Sequence, residues 1–251
     1  TFDLSGDGEF TAHAGVDVVR WLRCYDNPND AKAYYIRGVA YLESGNLSSA
    51  MNDFNVAVEI DGNYPDAYLG RGAVYRRSGE HQQALYEIHK ASKLGMRESK
   101  YYYSLGLVYN DVGDLDLALK HYSEAIRYDK RFHQAYTAIG TIYWEKGDYV
   151  LAAHWCEKAL EINNNSRDAW YNLGLAYQSM SHYNQAVAYY TISITLGLNI
   201  AKVYYNRGGC YLKIGDFEKA IDNFEMALVI QPDFTPAIKA IEHAEQLIKE
   251  K

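Results

Sequence analysis

The sequence predicts an all-α protein, a right-handed superhelical solenoid of antiparallel helix pairs with a capping helix at each end. Three observations predict it. Glycine recurs at 38, 72, 106, 140, 174 and 208, always at the same interval. Tyrosine keeps that interval at 41, 75, 109, 143, 177 and 211, and alanine keeps it at 50, 84, 118, 152, 186 and 220. Two more columns run Tyr34, Tyr68, Tyr102, Tyr136, Trp170, Tyr204 and Ala57, Ala91, Ala125, Ala159, Ser193, Ala227. An uninterrupted period of this length marks a repeat array, whose units are each too small to bury their own apolar face and must stack on neighbours.

Composition agrees. The 251 residues are 48% hydrophobic and 23% charged, which is folded rather than disordered material, and four prolines argue against a turn-dense all-β chain. No apolar run approaches the ~20 residues of a membrane span, so no membrane insertion is expected. A formal charge of −7 disfavours nucleic acid as a partner. Cys24, Cys156 and Cys210 lie far apart with no CxxC pair, which suits a reducing, cytoplasmic compartment. No charged-then-apolar leader opens the chain and Thr1 is no translation start, so a processed or excised product is expected.

The elements follow in chain order. "FDLSGDGEFT", residues 2–11, resembles an EF-hand calcium loop: Asp3, Ser5 and Asp7 alternate as oxygen ligands, Gly8 supplies the sharp turn and Phe10 the apolar position. The loop is degenerate, because Ala14 stands where a bidentate Glu belongs and no entering helix precedes it. Residues 15–25 carry Val18, Trp21, Leu22 and Tyr25 at helical spacing, and this helix is expected to cap the first repeat. In the first unit, Tyr34, Gly38 and Tyr41 share one helix face, and Gly45 ends that helix in the left-handed conformation. The glycine column continues as Gly79, Gly113, Gly147, Ser181 and Gly215. Asn46, Glu80, Asp114, Asp148, His182 and Asp216 follow it and suit the start of a second helix. Ala50, Phe54 and Ala57 then share the face of that second helix, and "DGN", "NNNS" or "QPD" turns close the unit. The small Gly and Ala residues are expected to bring helix axes close, with tyrosines filling the adjoining space. Residues 235–250, with Ile238, Ile241 and Ile248 along one side, read as the terminal capping helix.

These columns resemble the tetratricopeptide repeat (TPR). The resemblance covers residues 31–234 as six units: 31–64, 65–98, 99–132, 133–166, 167–200 and 201–234. Residues 1–30 are then an EF-hand-like loop with its capping helix, and 235–251 the second cap. The departures are mild. The closing proline survives only as Pro232, and the late aromatic gives way to Ile88 and Cys156, so Cys156 reads as a small buried hydrophobe.

No enzyme chemistry is legible. The eight histidines show no HExxH or cysteine-paired spacing, and no GxGxxG or P-loop is present. His81 and His89 read as solvent-side residues. The resemblance instead implies a non-catalytic scaffold or adaptor, without a cofactor, whose concave groove holds a peptide or protein partner along the first helices. The residues expected there are Tyr35, Arg76, Tyr103 and Asn110, then Thr141, Tyr171, Asn172, Lys202, Tyr205 and Asn206, with Leu69, Thr137 and Asp168 on the same face. Tyrosine adds contact area at low entropy cost, and asparagine can pair with a peptide backbone. The co-chaperone carboxylate clamp of the family is matched by Asn172 and Lys202 but departs at Thr137, Thr141 and Asn206, so a neutral or mixed partner segment fits better. The alternative functions are a calcium-responsive regulator, with Asp3, Ser5 and Asp7 on the ion, or the targeting arm of a larger protein.

Overall fold

A computed structural model describes residues 27–250. Asp3, Ser5 and Asp7 of the calcium-like loop, and the expected helix at 15–25, lie outside the described residues. Thirteen helices and no strand occur among the described residues. They are α1 (Ala31–Glu43), α2 (Leu47–Ile60), α3 (Pro65–Arg77), α4 (His81–Lys93), α5 (Ser99–Asp111), α6 (Leu115–Tyr128), α7 (His133–Glu145), α8 (Tyr149–Ile162), α9 (Arg167–Ser179), α10 (Tyr183–Thr195), α11 (Ala201–Ile214), α12 (Phe217–Ile230) and α13 (Thr235–Lys249). The fold is all-α and of the TPR type. The described residues form two compact units, divided within α6 between His121 and Tyr122. In the first, α1 to α5 each pack on the next, and α1, α3 and α5 neighbour one another. In the second, α7 to α13 each pack on the next, and α7, α9, α11 and α13 form a row.

The ends of the first helices explain the glycine column. The N–H of Asn46 donates to Tyr41 O (2.9 Å) and that of Gly45 to Leu42 O (3.1 Å), with Gly45 at φ 84°. This double bond pattern requires a left-handed residue. Tyr75, Tyr109, Tyr143, Tyr177 and Tyr211 offer their carbonyls in the same way. Ser181 adopts φ 63° where the other units have glycine. Asn46, Asp114, Asp148 and Asp216 cap the second helices with their side chains. Glu80 and His182 do not, being too long and the wrong shape to reach the first-turn N–H groups.

Between units the chain takes one of two routes. Ahead of α3, α7, α9 and α13 it makes a short turn, closed by Tyr64 N to Asp61 O (3.2 Å), Phe132 N to Asp129 O (3.1 Å), Ser166 N to Asn163 O (3.2 Å) and Phe234 N to Gln231 O (3.1 Å). The aromatic early in the next helix ties this turn down: Tyr68 Oη donates to Gly62 O (3.1 Å), Tyr136 Oη to Lys130 O (3.2 Å) and Trp170 Nε1 to Asn164 O (2.8 Å). After α4 and α10 the helix ends instead at Gly95 and Gly197, and Met96 and Leu198 turn inward to become buried.

The glycines inside the first helices make room for the late-aromatic column, and Gly72, Gly140 and Gly208 also for a second-helix carbonyl, that of Ala84 (3.3 Å), Ala152 (3.1 Å) or Ala220 (3.1 Å). A methyl on Gly38 would lie 2.8 Å from Phe54, one on Gly174 2.6 Å from Tyr190, and one on Gly208 2.7 Å from Phe224. Phe54 also fills the space over Gly70 of the next unit, 2.6 Å from where a methyl would sit. The late-aromatic column, not the tyrosine columns, therefore occupies the space that the glycines leave. Cys156 takes that place over Gly140, fully buried, and burial pushes its thiol up to about 12.

Each unit also carries one of two side-chain locks. Where its seventh residue is arginine, the guanidinium sits over the ring of the fourth residue and bonds a polar residue on the second helix. Arg37 makes two 2.7 Å bonds to Asp53, Arg71 a 2.6 Å bond to Glu87, and Arg207 a 2.8 Å bond to Asn223, over Tyr34, Tyr68 and Tyr204. Arg71 and Arg207 also reach back to Asn55 and Thr191 on the preceding second helix. Where the seventh residue is Leu105, Ile139 or Leu173, the residue in the place of Asp53 is His121, Trp155 or Tyr189. Those rings pack on the columns instead: His121 on Tyr102 and Tyr109, Trp155 on Tyr136, Tyr189 on Trp170 and Tyr177.

Candidate partner-binding face

In the second unit the row α7, α9, α11 presents one polar seam. Thr141 Oγ1 donates to Thr137 O within α7 (3.2 Å) and accepts from Asn172 Nδ2 of α9 (2.9 Å). Asn206 Nδ2 of α11 donates to Tyr171 Oη of α9 (3.0 Å). The seam is uncharged along its middle, and the exposed Lys202 and Asp168 stand beside it. Trp144 Nε1 donates to Ser179 Oγ (2.9 Å) at the far end of the same helices. Each of these inter-helix bonds joins successive first helices, α7 to α9 or α9 to α11.

The tyrosines of this face are shared between core and surface. Tyr171 is half-buried with its ring 5.7 Å from Tyr190, and burial pushes its phenol up to about 12 although the Asn206 bond pulls the other way. Tyr205 lies 5.6 Å from Phe224 and 5.3 Å from Phe234. Behind them Tyr190 Oη donates to Gln178 Oε1 (2.5 Å), a bond that sequence reasoning missed. Its signal was present: at one fixed place ahead of the late aromatic stand Gln178 for Tyr190 and Asn110 for Tyr122, but Leu42 for Phe54 and Leu212 for Phe224. At Tyr190 the amide satisfies the buried hydroxyl, which needs a partner.

In the first unit the expected residues do not form such a seam. Tyr35 packs 5.9 Å from Phe54 and 5.3 Å from Tyr64, and burial, then the charge of Asp66, pushes its phenol up to about 12. Arg76 pairs with Asp111 at 2.6 Å, and Lys100 with Asp66 at 3.3 Å. Arg77 donates to Leu42 O. Tyr103 and Asn110 are half-buried, and Asn110 Oδ1 has no hydrogen-bond partner among the described residues. Leu69, expected on the open face, is buried: it joins the core cluster of α3, α4 and α5. His89 is exposed, while His81 is half-buried. Among the described residues no group of three His, Cys, Asp or Glu could hold a metal, and no helix is long and apolar enough to cross a membrane.

Comparison with known proteins bears on the fold. Family models described as tetratricopeptide or TPR repeats match residues 38–79, 103–167, 155–188 and 201–234. The fold is similar to a chain of the APC/C hetero-tetramer Cut9–Hcn1, with TM-score 0.81 and 22% identity over 92% of this chain. The alignment spans 46% of that longer chain, so this protein matches about half of it. It is also similar to PilF of Pseudomonas aeruginosa (TM-score 0.66, 20% identity, 88% of this chain and 97% of that one). A third likeness is to the C-terminal part of a TPR protein from Cytophaga hutchinsonii (TM-score 0.56, 21% identity, 85% and 86%). No curated protein sequence matches.

Proposed function

The chain belongs to the tetratricopeptide repeat proteins, a fold of protein–protein interaction scaffolds, and on that premise we propose that it is a non-catalytic adaptor holding an uncharged, extended partner segment along its first helices. The division into six units over residues 31–234, with α13 as the closing cap, is part of this reading. The observation that carries it is the uncharged seam on α7, α9 and α11. Asn172 and Asn206 each use one N–H on a neighbouring first helix, which fixes their orientation. Each keeps its Oδ1 and a second N–H, the acceptor and donor that one peptide group of a ligand needs. Adjacent packed helices lie about 8–10 Å apart. Three residues of extended chain span about 10 Å, so successive asparagines suit every third peptide group. Tyr171 and Tyr205, held by rings beneath them, add pre-ordered contact area at little entropy cost. Lys202 flanks the row, and Thr141 stands where a carboxylate clamp would need a cation or amide. On α1 and α5, Tyr35, Tyr103 and Asn110 offer side chains of the same kinds, whereas Arg76 of α3 is already neutralised by Asp111.

The test is a random peptide library displayed on phage and selected on the full chain, followed by titration of a selected peptide. Asn172→Ala and Asn206→Ala are each expected to weaken binding by about tenfold, as two lost hydrogen bonds would. Lys158→Ala, on α8, leaves it unchanged. Full affinity in both asparagine variants would reject the seam as the site.

A further inference from the structure

We propose that Gly209 opens a notch in the seam that receives one aliphatic side chain of the partner segment. This names the partner's anchor and rests on the adaptor reading above.

The first observation is a glycine without a packing reason. At Gly38, Gly70, Gly72, Gly140, Gly174 and Gly208 an added methyl would stand 3.0 Å or less from a second-helix side chain. At Gly209 it would meet only Gln178 Nε2, at 4.0 Å. Glycine in the middle of α11 lowers helix propensity, and no close contact inside the molecule offsets that loss. What glycine offers there is bare backbone that a ligand can approach closely.

The second observation is its place. Gly209 follows Tyr205 by four residues and Asn206 by three, so it lies on the seam side of α11. The same place in the earlier first helices holds Val39, Ala73, Leu107, Thr141 and Leu175. Every one of them carries a side chain, and α11 alone leaves a gap, of leucine size when measured against Leu175 on the neighbouring α9. Tyr205 and Leu212 stand one turn to either side of Gly209, and with Leu175 they are half-buried on one core cluster. The walls of the gap are therefore apolar.

The third observation is a fixed donor at its rim. Gln178 reaches from α9 toward Gly209, and its Oε1 accepts from Tyr190 Oη at 2.5 Å. That bond orients the amide, whose Nε2 has no hydrogen-bond partner among the described residues. An N–H held in this way can donate to the main-chain carbonyl next to an anchoring side chain. Residues 169–201 contain no Asp, Glu, Lys or Arg, so α9 offers no countercharge to a charged anchor losing its water.

Peptides selected from the phage library on the full chain are expected to share one Leu, Ile, Val or Met. Changing that residue to Ala is expected to weaken binding about tenfold or more. Gly209→Leu, which fills the notch from within, is expected to weaken the unchanged peptide by a similar factor, and on this variant the peptide's change to Ala no longer matters. Gly209→Ala is expected to weaken binding while raising the thermal midpoint, which separates lost binding from lost folding. Full affinity in Gly209→Leu and Gly209→Ala, or an Asp or Glu as the shared residue, would overturn the notch. If Asn172→Ala and Asn206→Ala still weaken binding in that case, the seam stands without the notch. Full affinity in the asparagine variants as well would reject the seam itself.

Discussion

Two neighbouring glycines on α11 separate the two ways a glycine can matter. Gly208 has the Phe224 ring 2.7 Å from where a methyl would stand, whereas Gly209 meets only the Gln178 side chain, at 4.0 Å. Phe224 is 1% exposed and cannot move aside. Gly208→Ala is expected to destabilise the chain by about 2 kcal/mol through overpacking. Gly209→Ala is expected to stabilise it by about 1 kcal/mol, the helix propensity regained. Urea unfolding of the two variants checks both, and equal signs would refute the distinction. Ser181 holds φ 63° without the freedom of glycine. Ser181→Gly is expected to add about 1 kcal/mol, the cost of a left-handed L-residue, and a lower midpoint would contradict this. The glycine columns were legible in the sequence because a helix-interior glycine is costly enough to stand out. What they accommodate was not legible, since recurrence at a fixed interval says nothing of which side chain fills the gap.

At the scale of the helix pair, the two locks show how different interiors serve one backbone. Arg37 and Asp53 make a bidentate pair in which the carboxylate side chain is 2% exposed and the guanidinium side chain 19%. Removing one partner strands the other in a poorly solvated place. Asp53→Ala is therefore expected to cost about 2–3 kcal/mol, below the range for fully buried pairs because Arg37 keeps some water. Converting both members to the other lock, Arg37→Leu with Asp53→Tyr, is expected to restore most of that loss. Thermal unfolding of the single and double variants measures the coupling, and a double variant worse than the sum of its singles would contradict it. This pairing was readable within the chain. Arg37, Arg71 and Arg207 are matched by Asp53, Glu87 and Asn223, whereas Leu105, Ile139 and Leu173 are matched by aromatic rings at the same place in the second helix. It escapes a reading by single columns because it is a relation between two. The caps on the second helices were legible where Asn or Asp stands, and the capping bond fails at Glu80 and His182, where side-chain length decides.

For the whole molecule, the repeat architecture makes stability a sum of local packings with few charges inside. Its buried protic groups are mostly neutral phenols and thiols. Burial pushes Tyr35, Tyr171, Cys156 and Cys210 each up to about 12. The unfolded chain would release those protons near the ordinary values of about 8.5 for cysteine and 10 for tyrosine. The folded state thus binds more protons in that interval. Its stability is complete below about pH 8 and falls as pH rises toward 12. Urea midpoints between about pH 8 and 11 should decline while tyrosinate absorbance in the folded chain lags that of the denatured chain; a flat midpoint would contradict it. The candidate face was half legible at this scale. The sequence placed Thr141, Tyr171, Asn172 and Asn206 on one side of their helices, but not the bonds that cross from helix to helix. It also placed Leu69 and Arg76 there, although packing buries the first and an ion pair occupies the second.

The central claim is that the uncharged seam on α7, α9 and α11 receives the partner segment. Side-chain amide resonances of Asn172 and Asn206, followed while a library-selected peptide is titrated into the full chain, test it most directly. Both are expected to shift saturably with the binding isotherm, while Asn223, held by Arg207 and the Lys219 carbonyl, stays still. Saturable shifts at Asn223 with Asn172 and Asn206 unmoved would contradict the account.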